Sequence, residues 1–230
     1  MWTCCVFWGV APIHKTPLSH LPRLVRTPSM PLPPAAPQRQ LKHHRQIDVQ
    51  VFSRQDGLWE VDATLLDTKT RDAQMADGIR PAGQPVHDML LRLVVNTRLD
   101  ILEAGSDTRW MPYPGICGEH GDAYQQLVGL NLLQNFRQRL RERLGGVKGC
   151  THITELALVL PTAVVQGFAG EVIDTRGTDE GASQPFQIDR CHALRSSGQA
   201  VRVHYPRWYR PLPAQASDPE TTVRKSKETP

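Results

Sequence analysis

The fold is decided by Ile47-Asp48-Val49-Gln50-Val51, then Gln55-Asp56-Gly57, then Trp59-Glu60-Val61-Asp62-Ala63-Thr64-Leu65. In the first run apolar residues alternate with polar ones at a period of two, the mark of a strand with one buried face. The second run repeats the alternation through Trp59, Val61, Ala63 and Leu65. Asp56-Gly57 between them is a hairpin signal, because glycine accepts the positive φ that a tight reversal requires. The Asp67-Thr68-Lys69 end of the second strand is polar enough for a ligand contact, and a turn explains it equally well.

Outward from the hairpin, residues 68–85 form a long polar connection, a length associated with function or mobility. Val86 to Val95 predicts a third strand, with Met89, Leu91, Leu93 and Val95 on one face. Asn96-Thr97-Arg98 turns the chain, and Leu99 and Ile101 open a fourth strand. Four strands with mostly short connections predict an antiparallel meander. A loop containing Pro112, Pro114 and Cys117 follows. The spacing of Tyr124, Leu127 and Val128, continued by Phe136, Leu140 and Leu144, predicts helix up to Gly145-Gly146. Another helix is expected from Thr151 to about Phe168, kinked at Pro161. Phe186–Leu194 and Val201–Tyr209 read as short strands or irregular chain. Strands followed by about three helices make an α+β fold, the helices packed on one face of the four-stranded sheet.

The ends differ in composition from the middle. Eight of the 19 prolines fall in residues 1–40, and residues 1–45 carry six Lys or Arg and no Asp or Glu. The segment 1–40 is therefore expected to be a disordered Pro-rich basic tail, since it cannot bury enough surface to offset its ordering entropy. Met30-Pro-Leu-Pro-Pro reads as a protein start, with 1–29 as translated upstream sequence; Met1–Pro12 lacks the basic n-region of a signal peptide. Residues 41–210 are expected to form one domain and 211–230 a disordered tail. Residues 46–210 carry 18 basic and 20 acidic side chains, so the overall charge of +4 is no basis for a nucleic-acid partner. No run approaches the roughly 18–20 apolar residues of a membrane span. Five widely spaced cysteines are a poor disulfide framework and fit reduced thiols in a cytoplasmic protein.

Chemistry concentrates at Gly149-Cys150-Thr151-His152. Cys150 precedes or caps the long helix, and a thiol there faces the positive end of the helix dipole, a setting that suits a reactive or metal-binding sulfur. Thr151 is itself a good capping residue. His152 and Glu155, three residues apart, share one helical face and can share a metal or relay a proton. Cys150, His152 and Glu155 are thus the candidate catalytic residues, weighed against a small packed cysteine with two solvated first-turn side chains. A wider metal set of Cys117, Cys150, Cys191 and His87 or His152 would suit zinc or iron, although no C-x-x-C spacing supports it. In His87-Asp88 and Cys191-His192 neighbouring side chains point to opposite faces, so only one of each pair can reach a given site. Asp88 is expected on backbone or Arg92. Arg137, Arg139, Arg141 and Arg143 spread round their helix. The common nucleotide, zinc-protease and hydrolase signatures are missing from the sequence.

Five segments in order, Asp56-Gly57-Leu58-Trp59, Asp67-Thr68-Lys69-Thr70, Pro85-Val86-His87-Asp88-Met89, Gly149-Cys150-Thr151-His152-Ile153-Thr154-Glu155-Leu156 and Asp189-Arg190-Cys191-His192-Ala193-Leu194, resemble an uncharacterised bacterial domain-of-unknown-function family. The resemblance covers about residues 30–210 and implies no activity. Two functions are open at this point, beside a third reading as a small-molecule carboxylate or phosphate binder that uses the arginines. One is a metal- or thiol-dependent protein of bacterial metabolism with its site around Cys150 and His152. The other is a non-catalytic accessory or binding module for a metabolic enzyme, with an exposed aromatic patch around Trp110, Tyr113, Trp208 and Tyr209.

Overall fold

In the computed structural model the described residues are 32–119, 121–177 and 183–212. The expectations for residues 1–31 and 213–230, including the start at Met30, lie outside them. The chain divides into two units, residues 1–40 and 41–230. In the first, the described residues 32–40 are exposed and make one turn, where the Arg39 amide donates to Ala36 O (3.2 Å).

The second unit is built on an antiparallel sheet in the order β1-β2-β5-β6, with β1 at His43–Ser53, β2 at Trp59–Lys69, β5 at Pro85–Val95 and β6 at Ile101–Trp110. A small hairpin, β3 (Ala73–Met75) and β4 (Gly78–Arg80), occupies the long connection between β2 and β5. The meander expected from the alternation is present, and helices follow it, giving an α+β fold. Burial follows the period of two: in β2 the side chains of Trp59, Val61, Ala63, Leu65 and Asp67 are buried, while those between them are partly exposed. On β5 the same face carries Met89, Leu91, Leu93 and Val95, all buried.

Among the described residues three α-helices are present: α1 (Phe136–Leu144), α2 (Thr151–Phe168) and α3 (Gln199–His204). Helix α2 lies across the inward face against β1, β2 and β5. Its buried stripe of Ile153, Leu156, Ala157, Leu160, Val164, Val165 and Phe168 closes the core. At 1.5 Å per residue its 18 residues span about 27 Å, the length of about eight strand residues. At its far end Phe168 packs on Trp59, with ring centroids 4.5 Å apart. Gly167 lets the helix approach β1, because a Cβ there would lie 2.8 Å from Val51 Cγ1.

Two segments differ from the sequence reading. The helix expected across residues 122–144 is divided into a 3-10 turn at Gly121–Leu127 and the separate helix α1. Gly129, with φ of 79°, breaks the helix. Residues 129–132 then run extended beside the start of β6: Gly129 N donates to Ile101 O (2.9 Å), Ile101 N to Leu130 O (2.8 Å) and Leu132 N to Leu99 O (3.0 Å). Leu130 and Leu132 are buried by this path, not by helical spacing. Residues 201–209, read as strand or irregular chain, are mostly α3 and a 3-10 turn, with Val201 the buried anchor. Among the described residues no helix is long and apolar enough to cross a membrane.

Candidate metal centre

The apolar rows of the inward face end in a polar row. Register pairs Arg45 with Asp67 and Asp67 with His87, directly beside the apolar row Ile47, Leu65 and Met89. Each of the three continues the alternation of its own strand by one step, so each points toward the core side of the sheet. The N-terminus of α2 lies over this row and brings Cys150, His152 and Glu155 to it.

Asp67 is the hub. Its side chain is 1% exposed and both oxygens are engaged. Oδ1 accepts from Arg45 Nε (2.8 Å) and lies 3.2 Å from His43 Nε2. Oδ2 accepts from Arg45 Nη2 (2.8 Å) and contacts His87 Nδ1 at 3.0 Å. Burial pushes the Asp67 carboxyl up. The hydrogen bonds from Arg45 and His87, with the charges of Arg45 and His43, outweigh that and hold it below the ordinary carboxylate range. An ionised carboxylate only accepts hydrogen bonds, so His87 donates from Nδ1. Burial lowers the pKa of His87, and Arg45 and His43 lower it further against the pull of Asp67. A neutral His87 with its proton on Nδ1 keeps a lone pair on Nε2, the state of a base; to share an ion with Asp67 it gives up that proton and ligates through Nδ1, 3.0 Å from Asp67 Oδ2.

The His87 and His152 rings are in contact, with centroids 3.9 Å apart and planes at 33°. Burial lowers the pKa of His152 as well, followed by the charges of His87 and Arg45, with Asp67 and Glu155 opposing. Asp67, His87 and His152 each offer a ligand atom, and these three atoms lie within 4.8 Å of one another. Beside them, Cys150 Sγ is 3.9 Å from His152 Nδ1 and 3.9 Å from Met89 Sδ. Glu155, half exposed, accepts from Arg45 Nη1 (2.7 Å). Arg45 therefore ties strand β1 to β2 through Asp67 and to α2 through Glu155.

Cys150 is the N-cap of α2, with extended backbone and no capping bond from its side chain. The helix start is fixed by backbone and by a buried phenol: Thr154 N donates to Cys150 O (2.9 Å). Tyr124 Oη donates to the same carbonyl (2.7 Å) and lies 3.0 Å from Thr154 Oγ1. Burial pushes the Tyr124 phenol up to about 12, so it stays a donor throughout the neutral range. Tyr124→Phe keeps the ring and removes this donor. It is expected to cost about 1–2 kcal/mol of stability in thermal or urea unfolding, the usual cost of a lost buried hydrogen bond.

Of the residues singled out by sequence, Cys150, His152 and His87 come together. Glu155 reaches the same network through Arg45 and is outside the 4.8 Å group. Cys117, partly exposed in the loop after β6, and Cys191, exposed in a turn, are outside that group as well. The strand alternation expected for Cys191-His192 does not arise, because the segment is turns and both side chains are exposed. Asp88 points to the outer face and pairs with Arg109 (3.3 Å), whereas Arg92 pairs with Asp62, directly opposite it (2.6 Å). Arg45 and His43 were not among the expected site residues. The available signal was parity: both continue the Ile47, Val49, Val51 face backward, as Asp67 continues the Trp59 to Leu65 face forward. Of the expected aromatic patch, Trp110 and Tyr113 are exposed, and Trp110 carries the Arg80 guanidinium 5.0 Å from its ring centroid.

No curated protein and no solved structure matches this chain. One family does, over residues 43–166, from the first residue of β1 to near the end of α2. That span includes every residue of the cluster described above. The chain belongs to the family described as Protein of unknown function (DUF2889).

Proposed function

We propose that this domain binds one divalent transition-metal ion, zinc or iron, through Asp67, His87 and His152, with Cys150 within reach as a fourth ligand. The observation that carries the reading is the convergence of three ligand atoms within 4.8 Å. Two imidazoles and one carboxylate are a donor set used for catalytic zinc and for non-haem iron, and both leave coordination positions open to a substrate or water. The donor chemistry supports it: both imidazoles are held toward their neutral, ligating form by burial. The carboxylate is held ionised. The function is then that of a small cytoplasmic metal-dependent protein of bacterial metabolism, acting on a small molecule or with a partner enzyme and not on nucleic acid. Among the described residues Cys117, Cys150 and Cys191 are free, in keeping with a reducing compartment.

The test uses untagged protein, since a polyhistidine tag would itself take up metal. Elemental analysis after purification and zinc titration against a competing indicator should give one ion per chain. An absence of stoichiometric metal, with no zinc binding tighter than about 10 μM (roughly 7 kcal/mol), would sink the reading.

A second reading follows from Asp67 having both oxygens already engaged by Arg45, His43 and His87. In it Asp67 only orients His87, and the centre is a metal-free thiol–imidazole pair, Cys150 and His152. It requires Cys150 to alkylate faster than a free thiol and His152→Ala to remove that advantage. The accessory-module reading remains a third course and is distinct from both, because it needs neither metal nor reactive thiol.

A further inference from the structure

Residues 190–210 carry five arginines and two histidines and neither Asp nor Glu. They lie beyond the family-matched residues 43–166, which hold 13 basic and 15 acidic side chains. The near-neutral balance of residues 46–210 thus hides a strongly segregated charge. Arg190, Arg195, Arg202, Arg207 and Arg210 are all exposed, as are His192 and His204.

The segment folds back on itself and gathers this charge. Asp189 N donates to Leu194 O (2.8 Å), closing a turn that exposes Arg190. Arg210 N donates to Ser196 O (3.0 Å), bringing the end of the segment beside Arg195. Arg195 Nη1 lies 3.0 Å from His192 Nε2. The nearest acid in sequence, Asp189, spends Oδ1 on the Ser196 amide (2.6 Å). Among the described residues Arg190, Arg195, Arg202 and Arg210 make no ion pair with a carboxylate. Like charges gathered together repel one another, and an anionic partner relieves that repulsion.

We infer that the 190–210 lobe is a docking surface for an acidic segment of another protein. Guanidinium forks match carboxylates in pairs, which suits arginine for this task. One observation favours protein over nucleic acid. Trp208 is packed against Gly177 and has the Arg207 guanidinium 5.2 Å from its ring centroid, so it is no open platform for stacking a base. This inference does not depend on the metal centre.

The experiment uses the full chain and fluorescence anisotropy at near-physiological salt. The probes are a labelled twelve-residue oligoglutamate and a labelled twelve-nucleotide oligothymidylate. Oligoglutamate is expected to bind, and more weakly as salt rises. The triple variant Arg190→Glu/Arg195→Glu/Arg210→Glu should weaken it at least about tenfold. The control Arg137→Glu/Arg139→Glu/Arg141→Glu makes the same charge change on α1 and should weaken it less than about threefold. Arg202→Gln/Arg210→Gln, which removes charge without adding any, decides the matter if the triple variant does not fold; it should still weaken binding severalfold. Equal loss in the lobe variant and the control, absence of oligoglutamate binding, or tighter binding of oligothymidylate each overturns the inference.

Discussion

Asp67→Ala is expected to lower the unfolding free energy by about 3 kcal/mol, near the lower end for breaking a buried ion pair because Arg45 is partly exposed. The loss has two sources. Arg45 loses both bonds to the carboxylate, and His87 and His43 lose the anion between them. Asp67→Asn keeps the shape and one acceptor and should cost less. Urea unfolding with an unchanged m value measures both. The pH dependence has a definite sign. The folded pKa of Asp67 is depressed, so its stabilisation is fully present above the unfolded value, near 3.9, and is lost as pH falls through the folded value. His87 and His152 are also depressed, so in the metal-free protein they begin to destabilise it at higher pH, below about 6.5. Asp67→Asn should therefore retain the decline below pH 6.5 and flatten the one below pH 4. An unchanged acid limb in that variant would remove Asp67 from its place at the hub.

The sheet was legible because its signal is local. In β2 and β5 the alternation of Val61, Ala63 and Leu65, or of Leu91, Leu93 and Val95, is enforced by geometry within each strand. Helix α2 was legible for the same reason, its apolar stripe repeating at helical spacing to Phe168. The segment 121–135 was not, because Leu130 and Leu132 are buried by bonds to Leu99 and Ile101 some 30 positions earlier. Half of the site could be read and half could not. Cys150 and His152 announce themselves as unusual residues at a helix start. In sequence Arg45 is one more cation of a basic terminus, and only the start of β1 at His43 gives it a place in a strand register. Asp67 looked like a polar turn residue, yet it stands where the alternation calls for an apolar side chain. A charged residue in the apolar register of a strand requires a partner, and two adjacent strands each supplied one. Only the pairing register puts Arg45, Asp67 and His87 in one row. Tyr124 had no sequence signal as a site residue, since its role depends on where the start of α2 falls.

His152→Ala is expected to weaken zinc binding at least about 100-fold, more than the 10–100-fold typical of losing an outer-shell partner. Removing one of four ligands leaves a single imidazole, the Cys150 sulfur and a carboxylate already held by Arg45, a set that competes poorly for the ion. Stability of the metal-free protein should change by less than about 1 kcal/mol, since His152 is only partly buried and makes no bond within the apolar core. Cys150 sharpens the comparison. Two ligands at ordinary zinc–nitrogen and zinc–sulfur lengths lie roughly 3.6 Å apart across a tetrahedral ion, close to the 3.9 Å between Cys150 Sγ and His152 Nδ1. Cobalt-loaded protein should therefore show a sulfur-to-cobalt charge-transfer band that Cys150→Ser abolishes. Asp67 and His152 thus separate two roles within one cluster. Asp67 supports the fold and the ion together, so its loss lowers both stability and affinity. His152 serves the ion alone, so affinity should fall while the unfolding curve of the apo protein stays in place. If zinc affinity survives His152→Ala, the contact between the two imidazoles is packing and the metal reading fails at its central residue.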